Sequence, residues 1–195
     1  MFKKLSLSAL LMSTLPLFGV IDTNQYLSKE SLPKAPQSLI LPVPDELFNE
    51  KWQFAFADSS EDGAYVLEFT PKNESIENWN ELIQIQYFPL TKEMKGKITA
   101  EIFADHFLKA LKSHFPDATT QIIKKEPFSV LLEWKLPKKV ENESQQDEIA
   151  LIIVNSSGLF RAAYTKKVAD LTQKEREMWT DIISRALISD AQPAS

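Results

Sequence analysis

The chain has 195 residues, a formal net charge of -5 and no cysteine, which excludes disulfide frameworks, thiolate nucleophiles and cysteine metal sites. Four glycines, none of them clustered, leave no phosphate-cradling loop. Lysine pairs scattered among acids, at Lys124-Lys125, Lys138-Lys139 and Lys166-Lys167, do not form the basic stripe that nucleic acid requires.

Residues 1–19 differ from the rest. "MFKK" supplies a basic start, and Leu5 to Gly19 then runs without charge, broken by Pro16. That pattern is read as a signal peptide, too short for a comfortable membrane span. Export to the periplasm or exterior is expected, with a mature N-terminus between about Gly19 and Asn24. Loss of Lys3 and Lys4 takes the formal charge from -5 to -7. The mature chain is therefore acidic, and after leader removal it is not expected to be an integral membrane protein. Residues 20–47 contain Pro33, Pro36, Pro42 and Pro44, and proline fixes φ while withholding a donor. This stretch is expected to be an extended linker. A single domain over 48–190 and a disordered tail over 191–195 complete the organisation; the length suits one core.

From Lys51 the apolar period is two. "WQFAFA" places Trp52, Phe54 and Phe56 on one face, "YVLEFTP" does the same with Tyr65, Leu67 and Phe69, and Asp62-Gly63 marks the turn of a hairpin. In "SIENWNELIQIQYF" Ser75 is expected to cap a helical turn containing Trp79. A third strand follows, with Ile83, Ile85 and Tyr87 on one face and Gln84 and Gln86 on the other. Two readings of this stretch stand side by side. Either Trp79 closes one end of the core and the amides face solvent or a helix-free part of the sheet, or Trp79, Gln84 and Gln86 line a shallow partner-binding groove.

The period then becomes helical. Ala100, Phe103, Ala104, Phe107, Leu108 and Leu111 form one stripe behind the cap Thr99, and Pro116 ends it. Four strands follow. "TQIIKK" is short, "FSVLLEWKL" has Phe128, Val130, Leu132, Trp134 and Leu136 on one face, "EIALIIVN" is apolar on both faces and is expected to be central, and "LFRAAYT" follows the "NSSG" turn. The last helix opens with the capping box Thr172-x-x-Glu175 and buries Met178, Trp179, Ile182, Ile183, Ala186 and Leu187. The fold class is α+β: an antiparallel sheet of about seven strands flanked by two amphipathic helices, in the order βββαββββα.

That order resembles the PsbP-like superfamily over about Lys51 to Ile188. It does so through the aromatic first strand "KWQFAF", the passage "SIENWNELIQIQ" and the closing helix around Trp179. The superfamily includes an extrinsic photosystem protein, a Ran-interacting nucleotide-release factor and small exported bacterial proteins. The resemblance implies binding or accessory work without catalysis.

His106 and His114 lie eight apart on one helix, about 80° around its axis, and do not chelate as an i, i+4 pair would. Asp58, Glu61 and Asp62 lack the spacing of a calcium loop and read as a solvated hairpin tip. "VENESQQDE", from Val140, reads as a hydrated hairpin loop or a partner-facing segment. Asn73, Asn142 and Asn155 stand in N-x-S sequons within turns, acceptors for glycans only in a eukaryotic secretory pathway. No catalytic residue, metal or cofactor is assigned. The function expected is that of an exported noncatalytic binding or accessory protein with a protein partner. The alternatives are a hydrolase whose site assembles only in three dimensions and a carrier of a small apolar ligand.

Overall fold

The computed structural model describes residues 18–30, 32, 36–140 and 143–190. The body of the expected leader, residues 1–17, and the tail 191–195 lie outside them.

Seven strands build the main sheet: β3 (Trp52–Ser59), β4 (Tyr65–Pro71), β5 (Glu81–Pro89), β6 (Thr119–Glu126), β7 (Ser129–Leu136), β8 (Gln146–Val154) and β9 (Gly158–Lys166). With α3 (Ala100–His114) and α4 (Gln173–Ser184), they follow the chain order read from the sequence. Every pairing is antiparallel, in the lateral order β3-β4-β5-β9-β8-β7-β6. The middle position therefore belongs to β9, and the apolar β8 lies beside it. The reason is topological. The meander β6 to β9 walks back from the far edge until its last strand meets β5, in register from Glu81↔Lys166 to Pro89↔Gly158. The two strands close tightly there, since a Cβ on Gly158 would stand 2.2 Å from the Tyr87 ring.

Local structure departs from the simple alternation in two places. A bulge between Phe54 and Phe56 pairs Phe54 with Phe69 but Phe56 with Glu68, so Phe56 leaves the face of Trp52 and Phe54. The sequence stretch from Ser75 is a tight turn, with the Asn78 amide donating to the Ser75 carbonyl at 3.1 Å, and not a helical turn.

The proline-rich stretch carries β1 (Phe18–Asp22), α1 (Thr23–Lys29), β2 (Gln37–Pro44) and the start of α2 (Asp45–Lys51). With β10 (Leu187–Asp190) the strands make a second sheet, ordered β1-β2-β10. Pro42 and Pro44 fit because β10 pairs only with Gln37 to Ile40 and β1 with Ile40 to Pro44. Each proline thus sits where β2 has one neighbour, and its missing donor is not missed. Ile21, Leu39, Leu41 and Val43 are buried, as is Thr23, whose hydroxyl accepts from the Leu39 amide and the Tyr65 hydroxyl, each at 3.1 Å. This ties the small sheet to the large one.

The two faces of the large sheet are covered unequally. On one, Leu67, Phe69, Ile83, Ile85, Tyr87, Ile149, Leu151, Phe160 and Tyr164 share a core with the small sheet and α4. Trp179 stacks on Tyr164 at 4.0 Å and meets Trp52 edge-on at 5.7 Å. On the other, Val130, Leu132, Trp134, Leu136, Ala150 and Ile152 pack under Ala100, Ala104 and Leu111 of α3, which lies on β6, β7 and β8. The half of this face over β3, β4 and β5 is left open, and there Phe56 is 39% and Phe88 41% exposed. Among the described residues no helix is long and apolar enough to cross a membrane.

Candidate binding surface

The register of β3, β4, β5 and β9 lays out the floor of the open half. One cross-strand row reads Asp58, Val66, Gln86, Arg161, and the next reads Phe56, Glu68, Gln84, Ala163. Where the open half meets the α3-covered half stands Arg161, only 6% exposed. One of its terminal nitrogens, Nη1, donates to Gln84 Oε1 at 2.9 Å and to Gln86 Oε1 at 3.3 Å, and Nη2 donates to Glu148. Phe107 of α3 places its ring 5.7 Å from the guanidinium. Glu148, equally buried, also accepts from the Trp134 indole at 2.6 Å and from the Thr165 hydroxyl at 3.0 Å. Gln84 in turn donates to Glu68 at 2.6 Å. A polar chain thus runs from Trp134 beneath α3 to Glu68 on the open floor. A charge this deep is tolerable only when paired and hydrogen-bonded, which the Arg161-Glu148 arrangement supplies.

Beside this chain is a depression of about 310 Å³ between the hairpin tip and the end of β5, lined by Asp58, Ser60, Ala64, Val66, Gln86 and Phe88 among others. Gly63, with φ of +86°, lets the tip turn, and the Ser60 amide donates to the Ala64 carbonyl at 2.9 Å. Tyr65 gives this region its footing from the opposite face. Burial holds its phenol well above the usual tyrosine range, so it remains a donor to Thr23.

Of the three residues read as a possible partner surface, Gln84 and Gln86 lie together on this floor, opposite Ile83, Ile85 and Tyr87 as the alternation predicts. They face a helix-free part of the sheet, half-buried and held by Arg161. Trp79 is not with them. It lies before β5, half-buried, with the Lys167 ammonium 4.0 Å from its ring centre. Five to seven residues of chain, roughly 16 to 23 Å if extended, separate it from the amides.

The other candidates fall elsewhere. His106 and His114 are exposed on α3, and among the described residues neither ring pairs with a hydroxyl or a carboxylate; His114 rests edge-on against Phe115 at 4.6 Å. Asp62 closes its own turn, accepting from the Ser60 hydroxyl and the Ala64 amide, and these bonds hold its carboxyl below the usual range. Asn155 is engaged in a turn, accepting from the Ser157 amide at 2.9 Å and donating to Gln37 at 2.6 Å. Asn73 is exposed in a turn, and Asn142 lies outside the described residues. On the opposite face of the sheet Glu133, Lys135, Asp147, Asp170 and Arg176 form a second charged group. It docks the start of α4, Asp147 accepting the Leu171 amide at 2.8 Å while burial raises its carboxyl.

Sequence reasoning missed Arg161 and Glu148. Arg161 is the lone charge among the residues of "LFRAAYT", and Glu148, beside Asp147, opens the apolar run "EIALIIV"; the register of β8 against β9 turns both toward one face. Glu148 lies opposite Thr165 and Arg161 opposite Ile152, four residues along the strand, so the pair depends on the reach of the arginine side chain and is not announced by adjacent positions.

No family model matches the chain, and no curated protein does. Among solved structures it is similar to the solution structure of cyanobacterial PsbP from Synechocystis sp. PCC 6803. The identity is 13%, the match covers 69% of this chain and 90% of that one, and the TM-score is 0.36. The structural likeness is weak.

Proposed function

We propose that the protein is an exported, noncatalytic binding or accessory protein that meets a protein partner through the open half of its large sheet. Gln84 and Gln86 belong to the floor of that surface, and Trp79 does not. The observation that carries the reading is the pairing of two exposed aromatic rings, Phe56 and Phe88, with a floor of amides fixed from below. Solvent-facing aromatic side chains beside a depression are what partner surfaces use as anchors, because they bury much area for little lost rotamer freedom. Export rests on the basic start and the uncharged run from Leu5 to Gly19.

The test is a photo-reactive residue placed at position 88 and, as a control, at position 106 on the outer side of α3, each in the full chain expressed in its native host. A discrete protein adduct from position 88 and none from position 106 is expected. Adducts from position 106 alone, or from neither position, would overturn the assignment of the surface.

A further inference from the structure

We infer that the partner presents a cationic side chain, arginine above all, flanked by apolar residues, and seats it on the open half between Asp58, Glu68 and Phe88. This rests on the reading of that half as the partner surface and adds the chemical class of the occupant.

The argument is one of charge. No lysine or arginine occurs in β3, β4 or β5, whereas Asp58, Glu68 and Glu81 do. Glu81 is already paired, with Lys51 at 2.7 Å. Asp58 and Glu68 are not: among the described residues Asp58 accepts only from the amide of Ser59, at 2.8 Å, and Glu68 only from the Gln84 amide, at 2.6 Å. The cation at the edge of the floor, Arg161, is neutralised by Glu148 and cannot serve them. Glu61 and Asp62 at the hairpin tip add to the same sign of charge.

The apolar part of the surface fits the same occupant. Asp58 and Glu68 lie in adjacent cross-strand rows, with Val66 and Phe56 as their neighbours and Phe88 at the end of the depression. An arginine lays its methylene stem along such apolar walls, stacks its planar head on an aromatic ring and pairs with carboxylates in a fork. The depression of about 310 Å³ accommodates one such side chain. An acidic partner would meet uncompensated carboxylates and be repelled.

Three short labelled peptides test this against the full chain: one alternating arginine and leucine, one with citrulline for arginine, and one with glutamate for arginine. Binding is read by fluorescence anisotropy and by NMR shifts of the Gln84 and Gln86 side-chain amides. The arginine peptide is expected to bind about tenfold or more tightly than the citrulline peptide. Its affinity should fall several-fold between about 50 and 300 mM salt. The double variant Asp58→Asn/Glu68→Gln, whose amides keep the local hydrogen-bond acceptors, should lose about fivefold or more, with an unchanged thermal midpoint as the control for folding. Equal binding of the arginine and citrulline peptides with shifts at Gln84 and Gln86 would overturn the cationic class and leave the surface standing. Shifts confined to other residues would overturn both. No binding of the arginine peptide overturns the class, while cross-linking at position 88 separately decides the surface.

Discussion

Replacing Arg161 by methionine should be among the most damaging single substitutions in the protein. Arg161 and Glu148 are each 6% exposed, so the methionine would fill much of the vacated space but leave a buried carboxylate without its cation. Breaking such a pair from one side costs about 3 to 5 kcal/mol. The lower end applies here, near 3 kcal/mol, because the Trp134 indole and the Thr165 hydroxyl still donate to Glu148. Gln84 and Gln86 lose their donor too, but they are half-exposed and water can replace it at little cost. The second substitution separates charge from packing. In Arg161→Met/Glu148→Gln the orphan charge is gone while an amide oxygen remains for Trp134, so about 2 kcal/mol of the loss should return. Urea unfolding of both variants at neutral pH, followed by tryptophan fluorescence and circular dichroism with unchanged m-values, gives the two differences. A single-variant loss below about 1 kcal/mol, or a double variant less stable than the single, would refute the view that a paired charge holds this floor.

Gly158→Ala should cost about 1 to 3 kcal/mol in the same assay, because its Cβ would stand 2.2 Å from the Tyr87 ring and 2.8 Å from the Phe88 carbonyl oxygen; an unchanged midpoint would refute a tight β5-β9 junction. The Glu175 carboxyl is held down to about 2, first by the Lys166 ammonium and then by the Thr172 hydroxyl, so its contribution is fully present above about pH 4.5 and is lost as the pH falls through about 2. The stability gap between the wild type and Glu175→Gln, about 1 kcal/mol at neutral pH, should therefore narrow across that acid range, and a gap constant with pH would contradict it. The intact mass of the protein from its native host should place the mature N-terminus no later than Val20, since β1 buries Ile21 against the core and Asp22 caps α1; a start at Asn24, or a full-length chain, would refute that boundary.

Periodicity made most of the large sheet legible. Alternation fixed the opposing faces of β5 and β7, and the capping box located α4, because burial on one side leaves a period of two or 3.6 in the sequence itself. The small sheet was hidden because proline is read as a break in a strand, and its tolerance at Pro42 and Pro44 depends on where β1 and β10 begin and end, a matter of tertiary pairing. Phe56 was assigned to the wrong face because a bulge adds one residue without changing composition. The candidate surface was half legible. Gln84 and Gln86 stood out by alternation, but what fixes them comes from β9, some 75 residues on, and only the register of β5 against β9 brings the two together.

That register also explains why an uncovered half-sheet can hold its shape. An open face with nothing above it has side chains free to change rotamer, and ordering them on binding costs about 0.5 to 1.5 kcal/mol for each long side chain. Here Gln84, Gln86 and Glu68 are linked to one another and to Arg161, which is pinned by Glu148 and covered by Phe107. The core under α3 thus fixes the amides in advance, and little of that entropy would remain to be lost on the proposed binding. Around them Phe56, Phe88 and Asp58 are exposed. A polar floor held from below, with exposed aromatic and acidic side chains around it, would favour a partner that supplies one deep cation and a surrounding of apolar contacts over one that must reorganise the sheet. The open half and the buried pair are on this view one device, in which the covered half of the sheet would contribute to the proposed binding without touching the partner.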